Sequence, residues 1–332
     1  MGRYPLKTAM RRYMNATADY YSPTTLTVRK AILFAMEREY AMLRDKNSNL
    51  KADAKDWGEP EIVAIMSNMR AKGLTHATQA QHLSILSKFL EFEGNGILTR
   101  MRAKSPQIFP RASTELKGSL TDEELALVLR TAGEKGGWTG ECMRFVFPMY
   151  AYTGLRLSEL IGASKEDLDE SAWTFRVSHP KGERSYGKQR VVPIPEPLKP
   201  VVRRFLRARE KYLAQMGRLE TTHLIFPIGK PEKCVDSRTV DSWKTEIVRL
   251  TGVSFTVHGP RRTYGQMLLN RGVNIETVSV MLGHNSTRTT ETHYCRKNAD
   301  SARLEVIRAM QSPMPSVNSP KLTTDRDLPG YA

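Results

Sequence analysis

The amino-acid sequence predicts a mainly α-helical protein with a small β-hairpin or sheet, arranged as two domains. Apolar residues recur every three or four positions over most of the chain, which is typical of amphipathic helices. Two short segments in the second half, residues 173–178 and 190–194, instead have strand composition and flank a polar loop that contains glycine. The length of 332 residues favours two domains over one. We therefore expect a helical N-terminal domain and an α+β C-terminal domain.

The first 101 residues are expected to form the helical N-terminal domain. Ser22 followed by Pro23 is typical of a helix start, because serine can cap free backbone N–H groups and proline suits the first turn. Three apolar stripes at helical spacing then predict a small all-α core. The stripes comprise Ile32, Met36, Tyr40 and Leu43, then Ile62, Ile65, Met66 and Met69, and finally Leu83, Leu86, Phe89 and Leu90, before Gly94 and Gly96.

The second domain is expected over residues 119–311. It opens with a capping box, in which Thr121 and Glu124 satisfy the backbone N–H groups of a new helix. Helical patterns continue to about residue 166 and resume after the two predicted strands.

Two segments outside these domains lack a periodic pattern. Residues 102–118 contain two prolines and several basic residues, so we expect a linker between the domains. Residues 312–332 are rich in proline and serine and cannot build a core of their own. We expect them to form a flexible C-terminal tail.

The charge of the chain favours nucleic acid as a partner. Basic residues outnumber acidic ones by 51 to 35, which gives a net charge of +16. There are 19 basic and 11 acidic residues up to position 117, and 32 and 24 after it, so each part carries +8. Such an excess favours a polyanion. No apolar run approaches the ~20 residues that span a bilayer, and the N-terminus lacks the apolar stretch of a signal peptide, so a membrane is not expected.

The sequence gives no sign of a cofactor. Cys142, Cys234 and Cys295 are widely spaced without a CxxC pair, which fits a reducing cytoplasm. The glycine-rich segment 133–140 lacks the Gly-Lys-Ser/Thr ending of a nucleotide-binding loop. A metal site that uses His293 and Cys295 is a less favoured alternative.

Four separated segments of the second domain carry residues suited to holding and attacking a phosphate. Arginine presents a planar fork of donors that matches phosphate oxygens and stays charged at working pH. Each segment taken alone has an ordinary structural explanation, such as a solvated charge or a packed tyrosine. The segments are residues 152–160 with Arg156 and Glu159; the hairpin with Lys181, Lys188 and Arg190; the run His258-Gly259-Pro260-Arg261-Arg262; and Met281-Leu282-Gly283-His284, followed by Tyr294.

Taken in this order, the four segments resemble the catalytic motifs of the tyrosine recombinases of the phage-integrase type. The helical N-terminal part is similar to the DNA core-binding domain of that family. The resemblance implies that Arg156 and Arg261 grip the scissile phosphate and that Tyr294 is the nucleophile. It further implies that Glu159 supports the first arginine, that Lys181 is the hairpin lysine, and that His258 and His284 are the active-site histidines.

The chain departs from the family pattern at three of these places. Arg262 follows the arginine of the His-x-x-Arg pair, where a histidine is frequent, and we interpret Arg262 as a supporting residue. The hairpin between Lys181 and Arg190 is longer than usual, which leaves Lys188 as a competing candidate for the lysine. The interval from His284 to Tyr294 is ten residues, one more than is common, and His293 occupies the common position of the tyrosine. We therefore expect one extra loop residue before Tyr294.

The resemblance implies a site-specific DNA recombinase that acts through a covalent 3′-phosphotyrosyl intermediate. Two arginines can replace the metal ions of many nucleases, and a phosphotyrosine link keeps the energy needed for rejoining, so neither metal nor ATP is expected. The implied partners are double-stranded DNA and three further copies of the chain in a homo-tetramer, in the cytoplasm, with no small-molecule substrate. The alternatives are DNA relaxation of the type IB topoisomerase kind and a non-catalytic DNA-binding regulator on the same fold.

Overall fold

The computed structural model describes residues 6–111, 118–180, 187–218, 220–294 and 307. The chain forms two compact units, Met1–Glu115 and Leu116–Ala332. In the described residues the secondary structure is mainly helical, with one three-stranded sheet. This confirms the predicted mainly α fold with a small sheet. None of the described helices is long and apolar enough to cross a membrane.

The first unit is built from helices around one apolar core. The helix that follows Ser22 begins as predicted, because the serine hydroxyl accepts a hydrogen bond from the backbone N–H of Thr25 at 3.3 Å. Fully buried residues from the first four helices, among them Met10, Leu33 and Phe89, meet in the core. The helices are α1 (Leu6–Ala16), α2 (Pro23–Lys46), α3 (Glu59–Ala71), α4 (His76–Phe92) and α5 (Ile97–Lys104).

Two of these helices, α1 and α5, lie outside the apolar stripes seen in the sequence. Both are short and rich in basic residues, so only a narrow apolar face, such as Ile97, Leu98 and Met101 in α5, packs on the core. Past α5, Ile108 and Phe109 also pack against this core. The first part of the segment expected to be a linker therefore belongs to the first unit, whereas residues 112–117 lie outside the described residues.

The second unit contains eight helices and the sheet within its described part. Thr121 and Glu124 form the predicted capping box at the start of its first helix. The sheet is antiparallel in the order β1-β2-β3, and Phe175 pairs with Val192. Its elements are α6 (Asp122–Glu134), α7 (Gly137–Thr153), α8 (Leu157–Ile161), β1 (Leu168–Asp169), β2 (Thr174–Val177), β3 (Arg190–Pro193), α9 (Lys199–Gln215), α10 (Ser237–Thr251), α11 (Gly259–Asn270), α12 (Ile275–Leu282) and α13 (Thr287–Tyr294).

Helix α7 forms the centre of the second unit. It is apolar around almost its whole circumference, and Phe145, Val146 and Met149 are fully buried, as expected for a helix covered on all sides. It packs against α6, α9 and α11. Because α7 is enclosed, its C-terminal end at Gly154 lies inside the unit.

Candidate active site

The C-terminal end of α12 is the point on which the candidate site is built. Gly283 has φ of 64°, and its N–H donates to the carbonyl of Val280 at 2.9 Å. The next N–H, that of His284, reaches back to the carbonyl of Ser279 at 2.9 Å. These two bonds define a Schellman turn, in which glycine takes the left-handed position that other residues adopt at a cost. The Leu-Gly-His sequence thus ends the helix and places His284 directly after it.

Three arginines donate to three consecutive carbonyl groups at this helix end. Arg190 Nε contacts the oxygen of residue 281 at 3.0 Å, Arg261 Nη2 that of residue 282 at 2.6 Å, and Arg156 Nη2 that of residue 283 at 2.5 Å. The last carbonyls of a helix have no partner within the helix and carry partial negative charge, so cations stabilise them. We call Arg156, Arg190 and Arg261 the arginine cluster. Arg156 lies directly before α8, Arg190 is the first residue of β3, and Arg261 lies in α11.

Glu159 ties two members of the arginine cluster together. Its side chain is fully buried and each carboxylate oxygen accepts two hydrogen bonds. Oε1 accepts from Arg156 Nη1 at 2.8 Å and from Arg190 Nη1 at 3.1 Å. Oε2 accepts from the Arg156 backbone N–H at 2.8 Å and from Arg190 Nη2 at 2.7 Å. Burial alone raises the pKa of Glu159, but the bonds and charge of Arg190, with the contacts to Arg156, outweigh burial and lower the pKa to about 2. Glu159 is therefore ionised at neutral pH.

Arg261 is held by the end of α7 as well as by the end of α12. Its side chain is buried, and Nη1 donates to the carbonyl of Gly154. Gly154 has φ of 63°, and a Cβ atom added there would lie 2.3 Å from the ring of Tyr264. Only glycine fits this close approach. Gly154, two residues before Arg156, thus provides an acceptor for Arg261.

The contacts of His284 determine which of its nitrogens carries a proton. Nε2 lies 3.2 Å from Arg261 Nη2, and because arginine only donates, Nε2 is the acceptor. Nδ1 must then carry the proton, and it donates to the hydroxyl of Thr290 at 2.8 Å. His284 in this geometry is thus a neutral link from Arg261 to α13.

The other histidine lies at the N-terminal end of α11. His258 occupies the N-cap position, three residues before Arg261, and its Nδ1 is 2.7 Å from the hydroxyl of Tyr150. Tyr150 is buried in α7. When the tyrosine donates to Nδ1, the proton of the neutral imidazole sits on Nε2. The neighbouring Arg262 donates to the hydroxyl of Thr256, in the loop before α11.

The tyrosine expected to be the nucleophile lies at the end of α13. This helix packs against α11 and α12, and its Thr290 is fully buried. Tyr294 follows Thr290 by four positions, which is about 40° around the helix axis, so both positions share one face of α13. The side chains of His293 and Tyr294 lie outside the described part of the chain. The helix is continuous from Thr287 to Tyr294, and residues 284–286 connect it to the end of α12, so the expected extra loop residue before Tyr294 stays a prediction.

The candidate lysines fall at the edge of the described residues. Lys181 lies outside them. Lys188 is exposed and stands two residues before Arg190, where β3 begins. From the sequence, Arg190 is expected only as part of the hairpin segment, with no role in the site. Its place at a strand end beside the candidate lysine is the only signal in the sequence, because its partners Glu159 and Met281 lie 31 and 91 positions away.

Comparisons with known proteins point to one family. The sequence profile of the phage integrase family matches residues 119–301. The tyrosine recombinase XerA of Pyrococcus furiosus is 28% identical over 254 residues, which cover 75% of this chain and 80% of that protein. The tyrosine recombinase XerC of Chlamydia muridarum is 30% identical over 185 residues, or 54% of this chain and 55% of XerC.

Solved structures share the fold. A Tn1549 transposon integrase in complex with a circular intermediate DNA superposes with a TM-score of 0.69 at 17% identity, covering 92% of this chain and 99% of that chain. A lambda integrase tetramer bound to a Holliday junction gives a TM-score of 0.64 at 17% identity, and the match covers 88% of this chain and 78% of that chain. At this identity the likeness is one of fold.

Proposed function

The chain belongs to the phage integrase family, and from this premise we propose that it cuts and rejoins double-stranded DNA at specific sites with Tyr294 as nucleophile. The observation that carries the proposal is the convergence of Arg156, Arg261 and His284 at the end of α12, against the helix that ends in Tyr294. Two features support the proposal: the arginines supply fixed positive charge for a phosphate, and Tyr294 follows Thr290, a buried contact of His284, by one helical turn.

The proposed cleavage is a transesterification at phosphorus. The Tyr294 hydroxyl gives up its proton to water, its oxygen attacks the scissile phosphate, the bond from phosphorus to the 5′ oxygen breaks, and a 3′-phosphotyrosyl link forms. Arg156 and Arg261 stabilise the charge that develops on the non-bridging oxygens. The departing 5′ oxygen takes a proton from a hairpin lysine, either Lys181 or Lys188. Attack by a 5′ hydroxyl on the phosphotyrosine reverses the sequence and rejoins the strand, so no ATP is needed.

The two histidines take different parts in this proposal. His258 with Nε2 protonated can donate to a phosphate oxygen while Tyr150 fixes its ring. His284 accepts from Arg261 and donates to Thr290, so it orients the arginine and the nucleophile helix together. Arg262 and Glu159 support the site without touching the phosphate.

The rest of the chain is assigned to DNA binding and assembly. We infer that residues 1–101, together with the first part of residues 102–118 that packs on the same core, form a DNA core-binding domain, and that the rest of residues 102–118 connects it to the catalytic domain of residues 119–311. The net charge of +8 up to residue 117 supports this assignment. Recombination joins two duplexes and therefore four strands, which supports a homo-tetramer on DNA. The cysteine pattern supports a cytoplasmic enzyme.

A covalent-trapping experiment tests the function. Duplexes with a randomised core and a nick close to the cleavage position lose a short strand after attack, so the phosphotyrosyl adduct cannot be reversed. The wild-type protein is expected to give an adduct that survives denaturation and maps by mass spectrometry to Tyr294. Tyr294→Phe should form none, because it lacks the attacking oxygen. Tyr20→Phe, which alters an exposed tyrosine of the first unit, is the matched control.

The DNA sequence enriched by trapping is then used to distinguish recombination from the alternative functions. Two copies of the enriched site on one plasmid should exchange strands when the wild-type protein is added. Plasmid relaxation without exchange would indicate the topoisomerase-like alternative. An adduct that persists in Tyr294→Phe would show that another residue is the nucleophile, and binding without any adduct would indicate the regulator.

A further inference from the structure

Arg190 is a buried cation in the site that the cleavage chemistry described above does not use. Its side chain is only 8% exposed. All three of its nitrogens donate: Nη1 and Nη2 to the two oxygens of Glu159, and Nε to the carbonyl of Met281. A buried guanidinium persists where its donors are satisfied and its charge is compensated. Arg190 meets both conditions through Glu159 and the end of α12.

The charges around Glu159 show what this arrangement achieves. Arg156 and Arg190 share the single negative charge of Glu159. If Arg190 were absent, the buried carboxylate would face Arg156 alone and would cancel its charge. With Arg190 present, Glu159 can fix Arg156 through two hydrogen bonds while the group as a whole keeps a net positive charge. That charge is what a phosphate in the site would meet.

We propose that Arg190 is a positioning residue for DNA cleavage, which neutralises Glu159 and fixes it to the end of α12 so that Arg156 faces the scissile phosphate with its charge uncompensated. This proposal rests on the proposed function and deepens it. Arg190 does not touch the phosphate. It acts through Glu159 on Arg156, and through the carbonyl of Met281 on the turn that carries His284.

The position of Arg190 in the sheet adds a second consequence. It is the first residue of β3, and the exposed Lys188 stands two residues before it. The Arg190 backbone pairs with Val177 of β2, so its side chain fixes the base of the hairpin to the same helix end that holds Arg156 and Arg261. The hairpin that supplies the lysine and the arginines that hold the phosphate therefore share one attachment point.

A double-variant cycle tests the charge argument. The variants are Arg190→Met, Glu159→Gln and the two combined, with single-turnover cleavage measured at saturating protein on the trapped duplex. We expect Arg190→Met to cleave at least tenfold more slowly, on the order of 100-fold, while its Kd for the same duplex changes by less than about threefold. The combined variant should cleave at least as fast as Arg190→Met, because removing the carboxylate charge releases Arg156.

A purely structural role predicts a different pattern. If Arg190 only contributes packing, Arg190→Met and Glu159→Gln lower the cleavage rate independently, and their fold-reductions multiply in the combined variant. Arg190→Lys keeps the positive charge but loses the planar fork of donors. Adding Glu159→Gln to Arg190→Lys should therefore lower the cleavage rate further and should not restore it. Should Arg190→Met fail to fold, judged by thermal melting, Arg190→Gln takes its place in the cycle.

The second unit offers a matched control. Glu141 accepts hydrogen bonds from Arg144 and Arg204 in a similar group of one carboxylate and two guanidinium groups, and Arg204 is largely exposed. Arg204→Met should leave cleavage within about twofold of wild type. A loss smaller than tenfold in Arg190→Met, or losses that multiply in the combined variant, would overturn the proposal. Absence of any adduct with the wild-type protein is a separate outcome, in which the proposed function fails and the role of Arg190 fails with it.

Discussion

At the scale of single residues, Gly283 connects the Leu-Gly-His motif to the chemistry of the site. Its φ of 64° closes the turn after α12. A Cβ atom there would lie 2.7 Å from Arg190 Nη1, 2.9 Å from Arg190 Cζ and 3.2 Å from Arg156 Nη1. Glycine is therefore required at this position for two reasons: the backbone has a positive φ, and the two guanidinium groups occupy the space of a side chain.

Substitution of Gly283 is expected to damage activity more than stability. In Gly283→Ala the backbone strain costs about 1 kcal/mol, and the new methyl group must displace the Arg190 guanidinium from Glu159. We expect cleavage of the trapped duplex to fall at least about tenfold. Gly252→Ala is the matched control, because Gly252 also ends a helix at φ of 70° but has no atom within 4 Å of the added Cβ.

The two variants should unfold at similar denaturant concentrations and differ in cleavage. Equal cleavage rates for Gly283→Ala and Gly252→Ala would show that the close approach of the arginines has no part in catalysis.

At the scale of elements, the attachment of α13 decides where Tyr294, the proposed nucleophile, lies. The hydrogen bond from His284 to Thr290 links the site to this helix. Thr290 is fully buried although threonine is polar, and this bond satisfies its hydroxyl. Because α13 is short, about two turns, its own backbone bonds contribute little stability and packing must hold it in place.

Removal of the Thr290 hydroxyl should loosen the nucleophile helix. Thr290→Val keeps the shape of the side chain but leaves the Nδ1–H of His284 without its acceptor, which costs roughly 1–3 kcal/mol in a buried site. We expect adduct formation at saturating DNA to slow by about tenfold or more, with little change in Kd. Thr289→Val, at an exposed position of the same helix, should remain within about twofold of wild type.

A further readout separates positioning from folding. Hydrogen exchange of α13 should become faster in Thr290→Val, while exchange in α7 stays unchanged. If Thr290→Val forms the adduct as fast as Thr289→Val, the contact with His284 does not position the helix.

At the scale of the whole molecule, the positive charge is divided evenly between the two parts of the chain. Each side of residue 117 carries +8, so neither unit alone accounts for the charge of +16. Contacts spread over many phosphates make DNA affinity depend steeply on salt. They also explain why loss of one residue in the site should slow cleavage while the Kd changes little.

Assembly on DNA is expected to depend on the C-terminal tail. Residues 312–332 are rich in proline and serine, so any order in this segment must come from docking on another surface, which we expect to be a neighbouring protomer. Truncation after Gln311 should leave cleavage of a single site intact and abolish the complex of two duplexes, measured by sedimentation. A full-length variant with Val317, Leu322 and Leu328 replaced by serine is the control that keeps chain length, and it should also fail to pair the duplexes. Normal pairing and recombination by the truncated protein would contradict the prediction.

Local features of this protein were determined by the sequence itself. The helix start at Ser22, the capping box of Thr121 and Glu124, and the helix stop at Gly283 all agree with the structure. Each depends on backbone groups within about four residues, so the pattern contains the information needed. The order of the four motifs likewise indicated the family.

The arrangement of the arginine cluster was decided only by the tertiary structure. Glu159 is shared by Arg156, three positions away, and by Arg190, 31 positions away, and the carbonyl that fixes Arg190 lies a further 91 positions along. Nothing in the local sequence distinguishes Arg190 from a solvated arginine at a strand end. Its burial depends on how β3, α8 and α12 pack, because a guanidinium is held inside a protein only where distant elements bring enough acceptors to it.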